Sequence, residues 1–136
     1  MSDSHDKPLC VRESEALSGE LPVPGGRSMF RILLDEETAG ARQFALLINE
    51  FDPGLTSTAH KHDKEEHAFY IISGTGIIDI EGEKIPVEAG DAVFVPPGKM
   101  HQITSTGDAL FKYMVLYSPP GPNVALREKG GYGLAE

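Results

Sequence analysis

Short apolar runs separated by turn residues make up most of the chain after residue 28. The runs that hold most of the apolar positions are 29–34, 43–51, 68–73, 76–80, 92–96 and 110–117. Glycine, proline and acidic residues fall between them, as in Asp52-Pro53-Gly54 and Pro96-Pro97-Gly98. Many short strands with such turns are typical of a β-sandwich or β-barrel, so the pattern predicts an all-β fold.

The chain divides into three parts along its length. Residues 1–28 are polar and are interrupted by prolines and a Gly-Gly pair, which predicts an N-terminal arm suited to pairing with a neighbouring subunit. Residues 29–117 hold the strand pattern. Residues 118–136 are rich in proline and glycine and predict an irregular tail along the surface. A chain of 136 residues fits one folded domain between these two ends.

Charge and composition exclude several classes of partner. The chain has 12 lysines and arginines against 21 aspartates and glutamates, a formal net charge of -9, which disfavours binding to nucleic acid or to an anionic membrane. The single Cys10 has no internal disulfide partner. No apolar segment approaches the roughly 18 residues of a membrane span, and the N-terminus lacks the pattern of a signal peptide. We therefore expect a cytoplasmic protein.

Four of the five histidines lie in two clusters. His60, His62 and His67 form the first, and His101 follows the turn at 96–98. Imidazole is the commonest protein ligand for transition metals, and a two-residue spacing on an extended strand points His60 and His62 to the same side. The clusters therefore predict a metal site.

Glu66 and His67 are neighbours just before an apolar run. Adjacent residues on a strand face opposite sides of the sheet, so these two side chains cannot both point into one site. The strand predicted here puts His67, Phe69 and Ile71 on one face. Alternation alone does not say which face is inward, so both Glu66 and His67 stay candidates.

The two clusters resemble the signature motifs of the cupin superfamily. In that family the first motif runs Gly, five residues, His-x-His, three or four residues, Glu, six residues and Gly. The second runs Gly, five residues, Pro-x-Gly, two residues, His, three residues and Asn. The positions that match with their spacing kept are Gly54, His60, His62, Gly74, Gly90, Pro96, Gly98 and His101. The motifs cover residues 54–105, and the strand pattern extends the resemblance to 29–117.

Two positions depart from the family pattern. Counting six residues back from Gly74 reaches His67, where most cupins have the Glu ligand, whereas Glu66 leaves seven residues. Because the strand and turn after the ligand have a fixed length, we favour His67. The second departure is Ser105 in place of the final Asn, which does not bind metal in the family. The ligands that the resemblance implies are His60, His62, His67 and His101. Glu66 is kept as the alternative ligand and as a weak candidate for a general base.

The resemblance also implies a fold and an assembly. The fold is a double-stranded β-helix, the jelly-roll-like barrel that is also called RmlC-like, and cupins of this size are commonly homodimers. Phe69, Ile71 and Ile103 share the inward face with the histidines and would form an apolar substrate pocket. On the strand at 110–117 both registers fit, and we place Met114 inward on the assumption that Lys112 faces solvent.

Such a site has a definite chemistry. Four neutral imidazoles leave the charge of a divalent ion uncompensated, so the centre attracts an anionic oxygen ligand. We expect one divalent transition metal: Fe, Mn, Ni, Cu or Zn. The resemblance implies a metal-dependent enzyme, dioxygenase-like or else a lyase or isomerase, acting on a small anionic or enolisable substrate by dioxygenation, decarboxylation or isomerisation. The alternative is a non-catalytic cupin that binds or senses a small molecule and holds a structural metal.

Overall fold

Antiparallel β-strands form most of the structure. The structure, a computed structural model, describes residues 5–21, 23 and 25–129. Within these residues the strands are β1 Leu17–Glu20, β2 Ser28–Leu34, β3 Ala45–Phe51, β4 Glu66–Ser73, β5 Thr75–Ile80, β6 Glu83–Glu88, β7 Ala92–Val95, β8 His101–Thr106 and β9 Phe111–Ser118. Two helices, α1 Glu36–Ala39 and α2 Pro122–Lys129, and a short 3-10 turn at Glu13–Glu15 complete the elements.

The strands form two sheets that enclose one core. The first sheet has the order β1-β2-β3-β9-β4-β7, and the second has the order β6-β5-β8. Ile78, Val87 and Ile103 of the second sheet belong to the same buried cluster as Phe69 and Tyr113 of the first. The prediction of an all-β fold is confirmed.

Alternation along the strands explains which residues form this core. On β9, residues 111, 113, 115 and 117 are buried, and the residues between them are half-buried. On β8, His101, Ile103 and Ser105 face inward in the same way. A strand with one face in the core buries every second side chain, so the two sheets direct polar as well as apolar groups into the interior.

Gly74 makes the turn between β4 and β5. Its φ is +81°, a backbone conformation that favours glycine. A Cβ atom at this position would also strike the carbonyl oxygen of Leu110, just before β9. The turn therefore requires glycine both for its backbone angle and for the close approach of a neighbouring chain segment.

Two strands of the second sheet were absent from the predicted runs. β6 contains Pro86 and exposed charged residues, and its position at the sheet edge explains why proline is tolerated there. β8 has the polar sequence HQITST, which lacks a continuous apolar run. Both strands lie beside β5, so their pairing comes from the long antiparallel registers with that strand.

The two ends of the chain differ from the expectations. β1, at residues 17–20, pairs antiparallel with β2 of the same chain, so this part of the arm joins its own sheet. The irregular tail is wrong for residues 122–129, which form helix α2 and bury Leu126. The predictions for residues 1–4, 22, 24 and 130–136 lie outside the described residues.

None of the helices in the described ranges is long and apolar enough to cross a membrane.

Candidate metal centre

His60 and His62 lie on a segment that runs antiparallel to β8. Backbone hydrogen bonds join His60 and His101 in both directions, at 3.0 and 2.8 Å. Gly98, in the turn before β8, donates its backbone N–H to the carbonyl of His62 at 2.8 Å. The second motif therefore holds the first through the backbone, and this pairing brings His60 and His101, 41 positions apart in the chain, into one site.

The ring orientations of His60 and His101 follow from two further hydrogen bonds. Nδ1 of His60 lies 2.8 Å from the carbonyl oxygen of Thr58, and Nδ1 of His101 lies 3.1 Å from that of Lys99. A carbonyl only accepts, so each Nδ1 has the proton and donates it. The neutral imidazoles then present Nε2 with its lone pair, which is the arrangement found in most metal-binding histidines.

His67 enters the same region from β4. It is 2 % exposed, and its ring lies 4.4 Å from that of His62 and 5.0 Å from that of His101. Tyr117, its cross-strand partner on β9, presents a ring at 4.4 Å and nearly perpendicular. Neither ring nitrogen of His67 has a hydrogen-bond partner among the described residues.

The four rings form one cluster with an inner group of three. His60, His62 and His101 each offer a ring nitrogen, and these atoms all lie within 4.8 Å of one another. His67 stands outside this tightest group while its ring remains next to two of its members. His60, His62 and His101 are thus close enough together that they could hold a metal ion, and the assignment of His67 as a fourth ligand stays a prediction.

Burial keeps the imidazoles of His62, His67 and His101 neutral. Desolvation, followed by the repulsion of the neighbouring imidazoles, lowers the pKa of His62 to about 3 and that of His67 to about 2. Burial and the proximity of His60 likewise lower the pKa of His101 to about 4. Because only a neutral imidazole binds a metal, the side chains are ready to act as ligands at neutral pH.

The donor set fits a divalent transition metal. Nε2 of His101 and both ring nitrogens of His67 are buried with no hydrogen-bond partner in the described part of the chain. Buried polar atoms are normally hydrogen-bonded, and a cluster of neutral imidazole nitrogens is a preferred ligand set for Fe, Ni, Cu and Zn.

Glu66 lies on the other side of β4. Its side chain is exposed, as alternation requires for the neighbour of an inward-facing His67. The structure thus brings His67, and not Glu66, to the other histidines. The role of Glu66 as a ligand or general base stays an untested alternative with this placement against it.

A cavity of about 420 Å³ opens beside the histidines. Apolar and neutral polar side chains dominate its wall, and the residues that line it are Leu21, Val23, Asn49, Phe51, Ser57, Thr58, Ala59, His60, Lys61, His67, Phe69, His101, Ile103, Tyr113 and Tyr117. Not one of these lining residues is an Asp or a Glu, although the chain has 21 of them.

The predicted pocket residues fall into three groups. Phe69 and Ile103 line the cavity, and Ile71 is buried on the same face of β4 without lining it. Met114 is misplaced, because it lies on the outer face of β9 together with Lys112. Residues two apart on a strand share a face, so the assumption that Lys112 faces solvent itself puts Met114 outside.

Several cavity residues were not identified from the sequence. Asn49, Tyr113 and Tyr117 are inward-facing polar residues on β3 and β9. The alternation of Phe111, Tyr113, Val115 and Tyr117 was visible in the sequence, and it indicated the correct inward face once Lys112 is placed outside.

Comparison with known proteins gives consistent results. Residues 47–117 match the family model described as the cupin domain. The oxalate-binding protein of Thermotoga maritima is 33% identical over 113 residues, which cover 79% of this chain and 92% of that protein. The tetracenomycin polyketide synthase protein TcmJ of Streptomyces glaucescens is 29% identical over 82% of this chain and 74% of its own. The crystal structure of a predicted oxalate decarboxylase from Thermotoga maritima superposes with a TM-score of 0.73 at 26% identity, covering 82% of this chain and 100% of that chain.

Proposed function

This chain belongs to the cupin family, and we propose that it is a metal-dependent enzyme that acts on a small anionic molecule inside the barrel. The observation behind the proposal is the group of buried imidazole nitrogens that have no hydrogen-bond partner in the described structure, at His67 and His101. They face a cavity of a size that suits a small molecule. The reaction class is dioxygenation, decarboxylation or isomerisation.

The proposed ligands are His60, His62, His67 and His101. The first two and His101 have ring nitrogens within 4.8 Å of one another, and the ring of His67 packs beside them. A bound divalent ion supplies Lewis-acid chemistry or, in the case of iron, copper or manganese, redox chemistry with dioxygen. The hydrogen bonds from His60 and His101 to backbone carbonyls keep the two rings oriented for binding.

The cavity wall favours an anionic ligand. Lys61 and the histidines are the basic groups that line it, and no carboxylate opposes them among the described lining residues. A carboxylate or enolate oxygen entering this cavity thus meets no like charge on the wall. The Thermotoga maritima relative is named for binding oxalate, a small dianion, which supports the same substrate class.

A non-catalytic binding role is the second candidate. That relative is named as an oxalate-binding protein rather than as an enzyme, and 92% of its length aligns with this chain. The two roles differ in turnover. The test measures dioxygen uptake and product formation by the metal-loaded protein with a panel of small carboxylic and enolic acids. Multiple turnovers in either measurement favour the enzyme. Stoichiometric binding without turnover favours the binding role.

The ligand set is tested by metal analysis of two variants, each of which replaces one of two neighbouring residues by alanine. We expect His67→Ala to lower the metal content of the purified protein at least several-fold, because it removes an inward-facing imidazole. Glu66→Ala, the matched control on the outer face of the same strand, should retain the wild-type content. If Glu66→Ala loses metal and His67→Ala keeps it, the four-histidine site is wrong. If the wild-type protein takes up no divalent metal, the proposed function is wrong as a whole.

We also propose that the protein is a homodimer. The outer face of the first sheet exposes a patch on neighbouring strands, where Phe94 and Ala68 are cross-strand partners and Tyr70 pairs with Met114. Phe94 is 53 % exposed and Tyr70 is 45 % exposed. Two copies that bring the same patch together would bury these side chains in a symmetric interface.

A further inference from the structure

Asn49 and Tyr113 form a buried polar pair in the wall of the cavity. They are direct cross-strand partners on β3 and β9, and they are 3 % and 1 % exposed. Nδ2 of Asn49 donates a hydrogen bond to the Tyr113 hydroxyl at 3.2 Å. Both residues line the same cavity as the histidines.

This pair has unused hydrogen-bonding capacity. Oδ1 of Asn49 is buried and has no partner among the described residues. The amide has two polar ends and Tyr113 satisfies one of them, so one end stays unpartnered whichever way the amide is oriented. The Tyr113 hydroxyl accepts the bond from Asn49, and its own proton is free to donate. Burial raises the pKa of Tyr113 well above its usual range, so the hydroxyl keeps that proton at neutral pH.

Asn49 and Tyr113 lie farther along the barrel than the proposed metal ligands. Tyr113 precedes Tyr117, the partner of His67, by four residues on β9, which corresponds to about 13 Å of extended strand. The ring of Phe69 lies between the two positions, 6.2 Å from the ring of His67 and 5.5 Å from that of Tyr113. The cavity thus has a basic polar end at the histidines, an apolar middle and a neutral polar end at Asn49.

We propose that Asn49 and Tyr113 are a second recognition point, which binds a neutral hydroxyl group of a ligand whose anionic end lies at the histidines. A hydroxyl both donates and accepts, as the unpartnered amide oxygen and the free phenolic proton require. A second carboxylate fits poorly, because the lining residues at this end include no cation. The substrate class that follows is a hydroxylated carboxylic acid. This inference rests on the proposed function for the position of the anionic end.

The test compares acids that differ only in a terminal hydroxyl. Isothermal titration calorimetry measures the binding of 4-hydroxybutanoate, 6-hydroxyhexanoate and 8-hydroxyoctanoate, each against the plain alkanoate of the same length. We expect the hydroxy acid to bind at least about fivefold more tightly at the length that spans the cavity, since one buried hydrogen bond contributes that much. Equal affinities at every length, or no binding of any of these acids, would overturn the proposal.

Variants identify the residues behind the preference. Tyr113→Phe removes only the hydroxyl, and Asn49→Leu replaces the amide by an apolar group of similar size. Both should abolish the hydroxyl preference while metal content stays at the wild-type value. Tyr70→Phe, the same exchange on the outer face of β4, should keep the preference. A preference that survives in Tyr113→Phe and in Asn49→Leu contradicts the proposal. If one variant fails to fold, as judged by circular dichroism, the other and the wild-type comparison decide.

The two proposals fail in different measurements. Each titration is run with and without added Ni²⁺, and metal content is determined separately. Absence of metal binding contradicts the proposed function, whereas absence of a hydroxyl preference contradicts the role of Asn49 and Tyr113 alone. The hydroxyl preference is the ratio of the affinities of two acids that have the same anionic group. The contribution of that group at the histidines is therefore the same in both acids and drops out of the ratio.

Discussion

At the scale of single residues, the buried neutral imidazoles of His67 and His101 make the free energy of unfolding depend on pH. Each is 2 % exposed, and burial lowers their pKa values to about 2 and about 4. In the unfolded chain an imidazole titrates near a pKa of about 6.5. The unfolded state therefore takes up protons below that pH while the folded state does not. A buried neutral histidine thus has no proton-linked cost at neutral pH, where both states are neutral, and it destabilises the fold as the pH falls below about 6.5.

We expect the metal-free protein to lose stability steeply between pH 6.5 and pH 5. Each of these two histidines contributes a slope that grows toward a limit of about 1.4 kcal/mol per pH unit as the pH falls below 6.5, with stability rising as pH rises. Urea unfolding in the presence of a chelator at pH 7.0, 6.0 and 5.0 measures the change. In His67→Phe the dependence of the free energy of unfolding on pH should be smaller by the contribution of one histidine. A free energy of unfolding that stays constant over this range contradicts the assignment of neutral buried imidazoles.

At the level of elements, helix α2 is held to the barrel by one buried carboxylate. Asp35 caps α1 through the backbone N–H of Thr38 and is fully buried. Arg127 of α2 contacts both of its oxygens, at 2.8 and 2.9 Å, and Asn123 donates to it at 3.0 Å. Burial alone would raise the pKa of Asp35, but these hydrogen bonds together lower it. Two helices that are distant in sequence thus share one anchor.

Removing this anchor should be costly. We expect Arg127→Ala to lower the free energy of unfolding by about 3 kcal/mol, because it leaves a buried carboxylate without its cation. Lys84→Ala is the matched control, since Lys84 pairs with Asp79 at the same distance of 2.8 Å but is largely exposed. The control should change stability by less than about 1 kcal/mol. Chemical denaturation of both variants at pH 7 measures this, and equal losses would show that burial does not matter here.

For the whole molecule, the apolar outer patch of the first sheet distinguishes the two faces of the barrel. The inner face of β4, β7 and β9 contributes to the core, whereas the outer face leaves Tyr70, Ile72 and Phe94 exposed. The exposed aromatic residues Tyr70 and Phe94 lie on the paired strands β4 and β7, and exposed apolar surface of this kind often marks a protein contact.

We expect sedimentation velocity to give the mass of a dimer for the wild-type chain. Phe94→Lys should shift the protein toward the monomer, because it puts a charge at the centre of the apolar patch. Leu9→Lys, at a position that is also highly exposed but lies outside the sheet, should leave the mass unchanged. A monomeric wild-type protein, or a Phe94→Lys variant that stays fully dimeric, contradicts this interface.

The spacing along the chain was sufficient to predict the histidine cluster and the all-β class. His60, His62 and His101 stand at the distances from Gly54, Pro96 and Gly98 that the cupin motifs have, and the resemblance to those motifs is what assigned them to one site. The same local information was insufficient for β6 and β8. Their sequences are polar, and they become strands because both edges of β5 offer hydrogen-bond partners.

Long-range pairing explains the remaining differences. Met114 was misplaced because it was assigned to the face opposite Lys112, although residues two apart on a strand share a face. Which of the two faces of a strand points inward depends on what packs against it. Asn49 and Tyr113 are 64 residues apart and meet only through the register of β3 and β9. A sequence thus encodes which side chains share a strand face, since the alternation is a local property. Which faces enclose the cavity, and which polar groups meet there, follows from the burial of both sheets in one core.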